Sequence, residues 1–247
     1  MSAPVIQVTD LRTAFGDQKV LDGVSLAVAP GETLVVLGRS GTGKSVLLRH
    51  LIGLRWPDSG TLRVLGRDLR ELAEGPLNAI RRRVGFVFQN AALYDSLTVV
   101  ENVAFPLKYH TTLTPAQRRE KAMALLARVE LQAAAGKLPT DISGGMKKRA
   151  GLARALALDP ELMLYDEPTA GLDPITSGEI SDLILALQAE RAMSSVVVTH
   201  DMLSARAISN RVALLDRGRI VFDGAFEGLA ACPDPVAAHF LEPRQTR

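Results

Sequence analysis

The chain has 247 residues, 47% of them hydrophobic and 4% aromatic, which suffices for one α/β domain with an inserted subdomain and predicts an aliphatic core. With 29 basic and 27 acidic residues the net charge is +2, a balance that argues against a broad nucleic-acid-binding surface. The single cysteine, Cys232, excludes an internal disulfide and suits a reducing compartment. The sequence has no signal-peptide pattern and no run of about 18 apolar residues, so we expect a soluble protein or one held at a membrane by a partner.

The first 37 residues have the pattern of short strands. Polar and apolar residues alternate over 7–12 and again over 24–28, and Pro30-Gly31 predicts a turn. The apolar run 33–37 that follows predicts a buried strand.

A glycine-rich loop follows this strand and precedes a helical pattern from about Lys44 to Leu54. The loop has the spacing and the flanking elements of a phosphate-binding P-loop. Glycines let backbone N–H groups wrap around phosphate oxygens, Lys44 adds a positive charge, and the Ser45 hydroxyl is a ligand for Mg²⁺. We therefore predict that the chain binds a nucleoside triphosphate through Gly38, Arg39, Ser40, Gly41, Thr42, Gly43, Lys44 and Ser45.

The central part of the chain changes from strand to helix. Residues 61–64 and 84–88 have strand character, whereas roughly 90–160 indicates a helical insertion. Within it, Thr114, Pro115 and Gln117 predict a helix start with a capping box. Four apolar residues then share one face of that helix: Ala122, Leu125, Leu126 and Val129.

Two short basic runs lie in or beside this region, Arg81-Arg82-Arg83 and Lys147-Lys148-Arg149. Runs of this kind are typical of solvated helix faces. We interpret both in that way.

Strand character returns in the second half of the chain, at 162–165 and 195–199. Between them Asp173-Pro174 opens a helix with an apolar stripe. Apolar strands alternating with helices predict a parallel sheet covered on both faces. The end of the chain, from Pro233, has little to pack and is predicted to be an extended arm. The apolar stripe of the helix that begins at Pro174 consists of Ile180, Leu183, Ile184 and Leu187.

Two carboxylates, Asp166 and Glu167, follow the first of these apolar strands. Acidic residues at a strand end are often only solvated. Together with an upstream P-loop, Asp166 instead suits the coordination shell of Mg²⁺, and Glu167 is placed to orient or deprotonate an attacking water.

A second phosphate-binding pattern, Ser143-Gly144-Gly145, precedes a helical run. One nucleotide does not need two such cradles from one chain. The second pattern is explained by a dimer in which this segment of each subunit caps the ATP that is bound by the partner. The alternative is an ordinary serine cap followed by flexible glycines.

These motifs, in this order, resemble the ATP-binding-cassette (ABC) ATPases over about 5–230. The resemblance implies a P-loop NTPase fold with a mostly parallel sheet, an antiparallel β subdomain and an inserted helical subdomain. It implies a single domain over 1–247, with a core of 5–89 and 161–230, helices over 90–160 and a tail over 231–247. Ser143-Gly144-Gly145 is similar to the signature loop of the family.

Four further residues have roles that the resemblance implies. Gln89 matches the Q-loop, which senses Mg²⁺ and the transport partner, and His200 matches the switch histidine. Asp173 matches the D-loop at the dimer contact, although it would serve equally as a helix cap. Phe15 occupies the place of the aromatic that stacks on adenine, although a strand aromatic is usually part of the core.

The segments 143–155 and 165–177 look like the branch that serves Mce-type lipid transporters, such as the lipid-asymmetry system of Gram-negative bacteria. Met146 and Ile142 stand where glutamine and leucine are usual in the signature. The resemblance implies two copies of the chain beneath an integral-membrane permease at the cytoplasmic face of the inner membrane. It also implies an Mce-domain protein that carries phospholipid or another hydrophobic molecule.

Two alternatives remain at this point. An import ATPase for a small polar solute shares every catalytic motif and differs only in the permease-facing surface around 90–107. A soluble cassette protein acting on nucleic acid or ribosomes usually has two cassettes or a long coiled-coil insertion, and neither pattern is present in this sequence.

Overall fold

The computed structural model describes residues 3–191 and 193–237. Most of the predicted C-terminal arm, residues 238–247, lies outside the described part. In its described part Ala237 is buried and Val236 packs against the core, so the prediction of an extended arm with little to pack is wrong there. The strands are β1 (Ile6–Phe15), β2 (Gln18–Val28), β3 (Thr33–Leu37), β4 (Ser59–Val64), β5 (Arg67–Asp68), β6 (Val84–Val87), β7 (Leu162–Asp166), β8 (Ser194–Thr199), β9 (Arg211–Asp216) and β10 (Arg219–Gly224). The helices are α1 (Lys44–Leu51), α2 (Glu74–Arg82), α3 (Val99–His110), α4 (Pro115–Arg128), α5 (Gly144–Ala155), α6 (Pro174–Arg191) and α7 (Met202–Ile208).

The first sheet is antiparallel and has the strand order β2-β1-β4-β5. Ile6 and Val8 are buried while Gln7 between them is exposed, as the alternation in the sequence predicted. The strands predicted over 7–12 and 24–28 are confirmed but are longer than the alternating segments.

The second sheet has six strands in the order β10-β9-β3-β8-β7-β6. All of its neighbours are parallel except β9 and β10, which form a hairpin. The sequence analysis assigned no strands to this hairpin. A parallel sheet is confirmed, and the α/β class with a P-loop arrangement is therefore correct.

The parallel sheet is covered on both faces, as its apolar strands predicted. In β3, Leu34 and Val36 pack into a cluster shared with the antiparallel sheet and α1, whereas Val35 and Leu37 pack toward the other helices. All four side chains are fully buried. The strand is therefore rigidly held immediately before the glycine-rich loop.

The helix after that loop is shorter than predicted. It ends at Leu51, not near Leu54, because Gly53 adopts a left-handed φ of 67° that stops the helix. The helices α2 and α7 were not predicted. In α6, Ile180, Ile184 and Leu187 are buried, and Leu183 packs against the same core.

The helices α3, α4 and α5 pack against one another within the predicted insertion. Thr114 and Gln117 form the predicted capping box at the start of α4, and a second box joins Thr98 and Glu101 at the start of α3. The predicted apolar face of α4 is confirmed, since Ala122, Leu125, Leu126 and Val129 are all buried.

Candidate functional site

The glycine-rich loop joins β3 to α1 in a conformation that only glycine permits. A Cβ at Gly38 would lie 2.6 Å from Thr42 Oγ1 and 2.7 Å from the Leu215 carbonyl oxygen. Gly43 has a φ of 102°, in the left-handed region. No side chain in the described part of the chain caps the N-terminus of α1. The first N–H groups of α1 are thus available to an anion.

Lys44, the first residue of α1, is only 6% exposed and points back over the loop. Its Nζ donates to the carbonyl oxygens of Gly38 (2.8 Å) and Arg39 (3.2 Å). The same atom lies 3.2 Å from Oε1 of Glu167. The structure therefore brings the predicted lysine and the predicted catalytic carboxylate together.

Ser45 and Asp166 form a pair of oxygen ligands. The Ser45 hydroxyl donates to Oδ1 of Asp166 at 2.7 Å, across the gap between α1 and the end of β7. Burial raises the pKa of the Asp166 carboxyl, and the hydrogen bond from Ser45 opposes this shift. A hydroxyl and a carboxylate are hard oxygen donors of the kind that Mg²⁺ prefers, so the pair fits this ion.

Glu167 follows Asp166 and is held from several sides. Its φ is 47°, a left-handed value that is uncommon for a residue with a side chain. Its N–H donates to the Val198 carbonyl at 2.9 Å. Oε2 lies 2.9 Å from Nδ1 of His200, and because an ionised carboxylate only accepts, the imidazole donates from that nitrogen. The chain thus fixes one carboxylate between a lysine and a histidine.

Gln89 is not part of this cluster through its side chain. The residue is exposed, and within the described ranges its side chain makes no hydrogen bond to Ser45 or Asp166. Its backbone carbonyl accepts a hydrogen bond from Lys148. The predicted metal role of Gln89 therefore stays a prediction.

Ser143 caps α5 and is exposed at the surface. Its Oγ accepts a hydrogen bond from Met146 N at 3.3 Å, and in the described part of the chain it makes none with the glycine-rich loop. A Cβ at Gly145 would lie 2.7 Å from Thr176 Cγ2, so a larger residue would require the Thr176 side chain to move, and Gly144 is exposed. Ser143 therefore caps α5, and a contact of this helix end with a partner's phosphate stays a prediction.

Asp173 also has the predicted capping role. Its carboxylate accepts from the N–H groups of Ile175 (3.1 Å) and Thr176 (3.0 Å) at the start of α6. Ile175 beside it is 77% exposed. A contact of Asp173 across a dimer stays a prediction.

Phe15 is not a core residue, although strand aromatics usually are. Its side chain is 46% exposed at the end of β1. The Arg55 guanidinium lies 3.8 Å from the ring centroid, and sequence reasoning missed this contact. The exposed ring is available for stacking, which the adenine prediction requires.

The basic run 147–149 was interpreted wrongly as a solvated face. Lys148 is buried, and Arg149 forms ion pairs with Glu130 and Glu179. For the run 81–83 the structure agrees with a solvated face, since Arg82 and Arg83 are exposed and Arg83 pairs with exposed Glu161. The sequence did contain a signal that Lys148 is buried. It lies three residues after Gly145 and four before Leu152, so it shares the face of α5 on which both of these residues are buried.

Comparisons with known proteins agree with this geometry. A model of the ABC transporter family matches residues 21–170. The "Probable ribonucleotide transport ATP-binding protein mkl" of Mycobacterium tuberculosis is 41% identical over 240 residues, which are 97% of this chain and 67% of that protein. The "Methionine import ATP-binding protein MetN" of Brucella abortus is 40% identical over 242 residues, 98% of this chain and 65% of that protein. The chain thus spans about two thirds of the length of these relatives.

Solved structures match over most of the chain. The ATP-binding cassette MJ0796, in a dimeric post-hydrolysis state bound to ADP and Pi, gives a TM-score of 0.82 at 32% identity, covering 90% of this chain and 98% of that one. The cbiO1 protein of Clostridium perfringens gives a TM-score of 0.84 at 27% identity, covering 93% and 92%. The chain therefore belongs to the ABC transporter family as an ATP-binding cassette, and it is an ATPase.

None of the helices in the described part of the chain is both long enough and apolar enough to cross a membrane.

Proposed function

We propose that this chain is the ATPase subunit that energises a transporter for phospholipid or another hydrophobic molecule in the Gram-negative envelope. It would act as a homodimer at the cytoplasmic face of the inner membrane, beneath a permease and with an Mce-domain partner. The observation that carries the catalytic part is the meeting of Lys44, Glu167 and His200 beside the glycine-rich loop.

Binding of ATP is assigned to the loop and its lysine. The N–H groups at the start of α1 and the Lys44 ammonium would contact the phosphates. Ser45 and Asp166 would hold Mg²⁺, which neutralises charge on the phosphate oxygens. Phe15 would stack on the adenine from the exposed end of β1.

The hydrolysis step is assigned to Glu167. Its carboxylate would orient the attacking water and accept a proton from it, and His200 would hold that carboxylate in place through Nδ1. The ion pair between Lys44 and Glu167 holds the carboxylate beside the loop until the phosphates arrive.

The second half of each site would come from a second copy of the chain. The exposed cap Ser143 and the adjacent Gly144 offer free N–H groups to a phosphate on a partner, and Asp173 lies close to the same surface. A solved relative, MJ0796, was described as a dimer, which supports this arrangement.

A groove beside the helical insertion is our candidate for permease docking. It encloses a cavity of about 410 Å³ between β6, α3 and α5. Tyr94 is 48% exposed at its rim, and its ring lies 4.6 Å from that of Phe105. A surface groove lined largely by apolar and aromatic side chains is typical of a docking site. The lining includes Phe86, Phe88, Tyr94, Phe105, Pro106 and Arg154.

The nature of the cargo rests on the segments 143–155 and 165–177, which look like those of the Mce-type branch. The alternative is a small polar solute. The names of two relatives favour it, since one is called a ribonucleotide transport protein and the other a methionine import protein.

Reconstitution with the permease tests the cargo. ATP-dependent transfer of labelled phospholipid between vesicles is expected from the wild-type complex, and none from a complex with Glu167→Gln as matched control. ATPase activity stimulated by methionine or ribonucleotide, without lipid transfer, would instead support the solute importer.

A further inference from the structure

We infer that Lys148 is a positioning residue that holds Glu167 in its working conformation and links it to the segment at Gln89. The inference rests on the proposed role of Glu167 in hydrolysis. It concerns a side chain that the basic pattern of the sequence had placed in solvent.

Lys148 lies on the inner face of α5 and is only 6% exposed. Its Nζ donates to the carbonyl oxygen of Gln89 at 2.6 Å and to that of Glu167 at 3.0 Å. A lysine rarely becomes buried without such partners, because desolvation disfavours its charge. Here burial lowers the pKa of Lys148, while the carboxylates of Glu167 and Asp166 oppose that shift.

The carbonyl groups of Gln89 and Glu167 lie just after the ends of the neighbouring strands β6 and β7. In the parallel pair of β6 and β7, Val87 lies opposite Tyr165. Gln89 and Glu167 each come two residues after this pair, just beyond the ends of the two strands. Beyond the last paired residues, one ammonium group bridges the two segments in place of strand hydrogen bonds.

The bridge acts on a residue whose backbone is under strain. Glu167 has a φ of 47°, which persists only where the surroundings hold it. Its N–H is bound by the Val198 carbonyl and its C=O by Lys148. Loss of the ammonium would free the peptide after Glu167 to turn and would carry the carboxylate away from its place beside Lys44.

The same bridge connects the site to the segment after β6. Gln89 precedes the stretch that leads to Tyr94 at the rim of the docking groove. A displacement of the Gln89 backbone would thus reach Glu167 through a single side chain. Lys148 therefore connects the docking groove to the carboxylate of Glu167.

Two substitutions in the full-length chain test the inference. Lys148→Met has a similar volume but no donor, and Lys147→Met is the matched control, since in the described ranges Lys147 makes no side-chain hydrogen bond or ion pair. We expect Lys148→Met to lower kcat about 10- to 100-fold, the usual effect of a displaced catalytic group, with KM for ATP changed by less than about twofold. Lys147→Met should keep the wild-type kcat.

A double variant separates positioning from general destabilisation. If Lys148 acts through Glu167, Lys148→Met should cause no further loss in a Glu167→Gln background. An equal fractional loss in both backgrounds, or a wild-type kcat in Lys148→Met, would overturn the inference. A wild-type rate in Glu167→Gln alone would instead remove the proposed function.

A second substitution keeps the test decisive if Lys148→Met does not fold. Lys148→Gln leaves a polar group at the buried position, but its side chain is one bond shorter than lysine and cannot reach both carbonyls. We expect a kcat clearly below wild type, again with no further loss in the Glu167→Gln background. An unchanged kcat in the folded Lys148→Gln variant would overturn the inference.

Discussion

His200 contacts one oxygen of Glu167 through two of its atoms. Nδ1 of the ring lies 2.9 Å from Oε2, and the backbone N–H donates to the same oxygen at 3.4 Å. The ring itself is 40% exposed, whereas the carboxylate is 10% exposed. The histidine therefore reaches from the surface to orient a buried acid.

We predict that His200→Ala lowers the rate of ATP hydrolysis about 10²-fold, because a misplaced catalytic group typically costs this much. Binding of ATP should be unchanged, since the phosphates are assigned to the loop and Lys44. Single-turnover assays separate the two quantities. His110→Ala, at an exposed histidine of α3, is the control and should hydrolyse ATP at the wild-type rate.

Substitution of Phe15 tests the contact with the adenine base of ATP separately from the contacts with its phosphates. Phe15→Leu should weaken ATP binding about 5- to 150-fold, since base stacking on an aromatic ring contributes about 1–3 kcal/mol. Phe15→Trp should retain affinity. Titration with inorganic triphosphate is the control, because this ligand has no base and should bind both variants like the wild type. Equal ATP affinity in Phe15→Leu would remove the residue from the site.

Mixed dimers test whether the sites are composite. A chain with Ser143→Arg and a chain with Lys44→Ala should each be inactive alone. Mixed together they should recover hydrolysis, because one site of each heterodimer then combines an intact lysine with an intact serine. The measurement is phosphate release across a range of mixing ratios. Lack of recovery at every ratio, with dimers present by light scattering, would argue against sites shared between chains.

Tyr94, at the rim of the docking groove, and its neighbour Leu93 should respond differently to a charge. Tyr94 is 48% exposed, so Tyr94→Glu should leave folding and ATP binding intact but reduce pull-down of the permease and lipid transfer. Leu93 packs against the helical core, so Leu93→Glu should also lower the unfolding temperature. The clean test of the docking surface is therefore the substitution at Tyr94. Undiminished permease binding by Tyr94→Glu would exclude this surface.

The sequence predicted the parts of the site that follow local rules. The glycine-rich loop has a fixed spacing, and the capping box at Thr114 and Gln117 depends only on neighbours in the chain. Buried strands before Lys44 and Asp166 were evident from their apolar runs. These features are local, and the structure contains each of them.

Other features depend on contacts between distant segments. Lys148 is buried because Gln89 and Glu167, 59 and 19 residues away, present carbonyls to it. Phe15 is exposed at the end of β1, where the guanidinium of Arg55, 40 residues away, lies over its ring. The sequence analysis also did not predict the hairpin of β9 and β10. In the structure both residues of its turn, Arg217 and Gly218, have left-handed φ values. A run of charged residues or a single aromatic residue in the sequence does not show which distant residues it will contact in the fold.

The most direct test of the account is phosphate release by Glu167→Gln. Removal of a general base lowers a rate by about 10² to 10⁴. We predict a loss in that range, with ATP bound at wild-type affinity and with the chain held as a stable dimer by ATP in size-exclusion chromatography. Wild-type turnover in this variant would contradict the assignment of Glu167 as the residue that activates water.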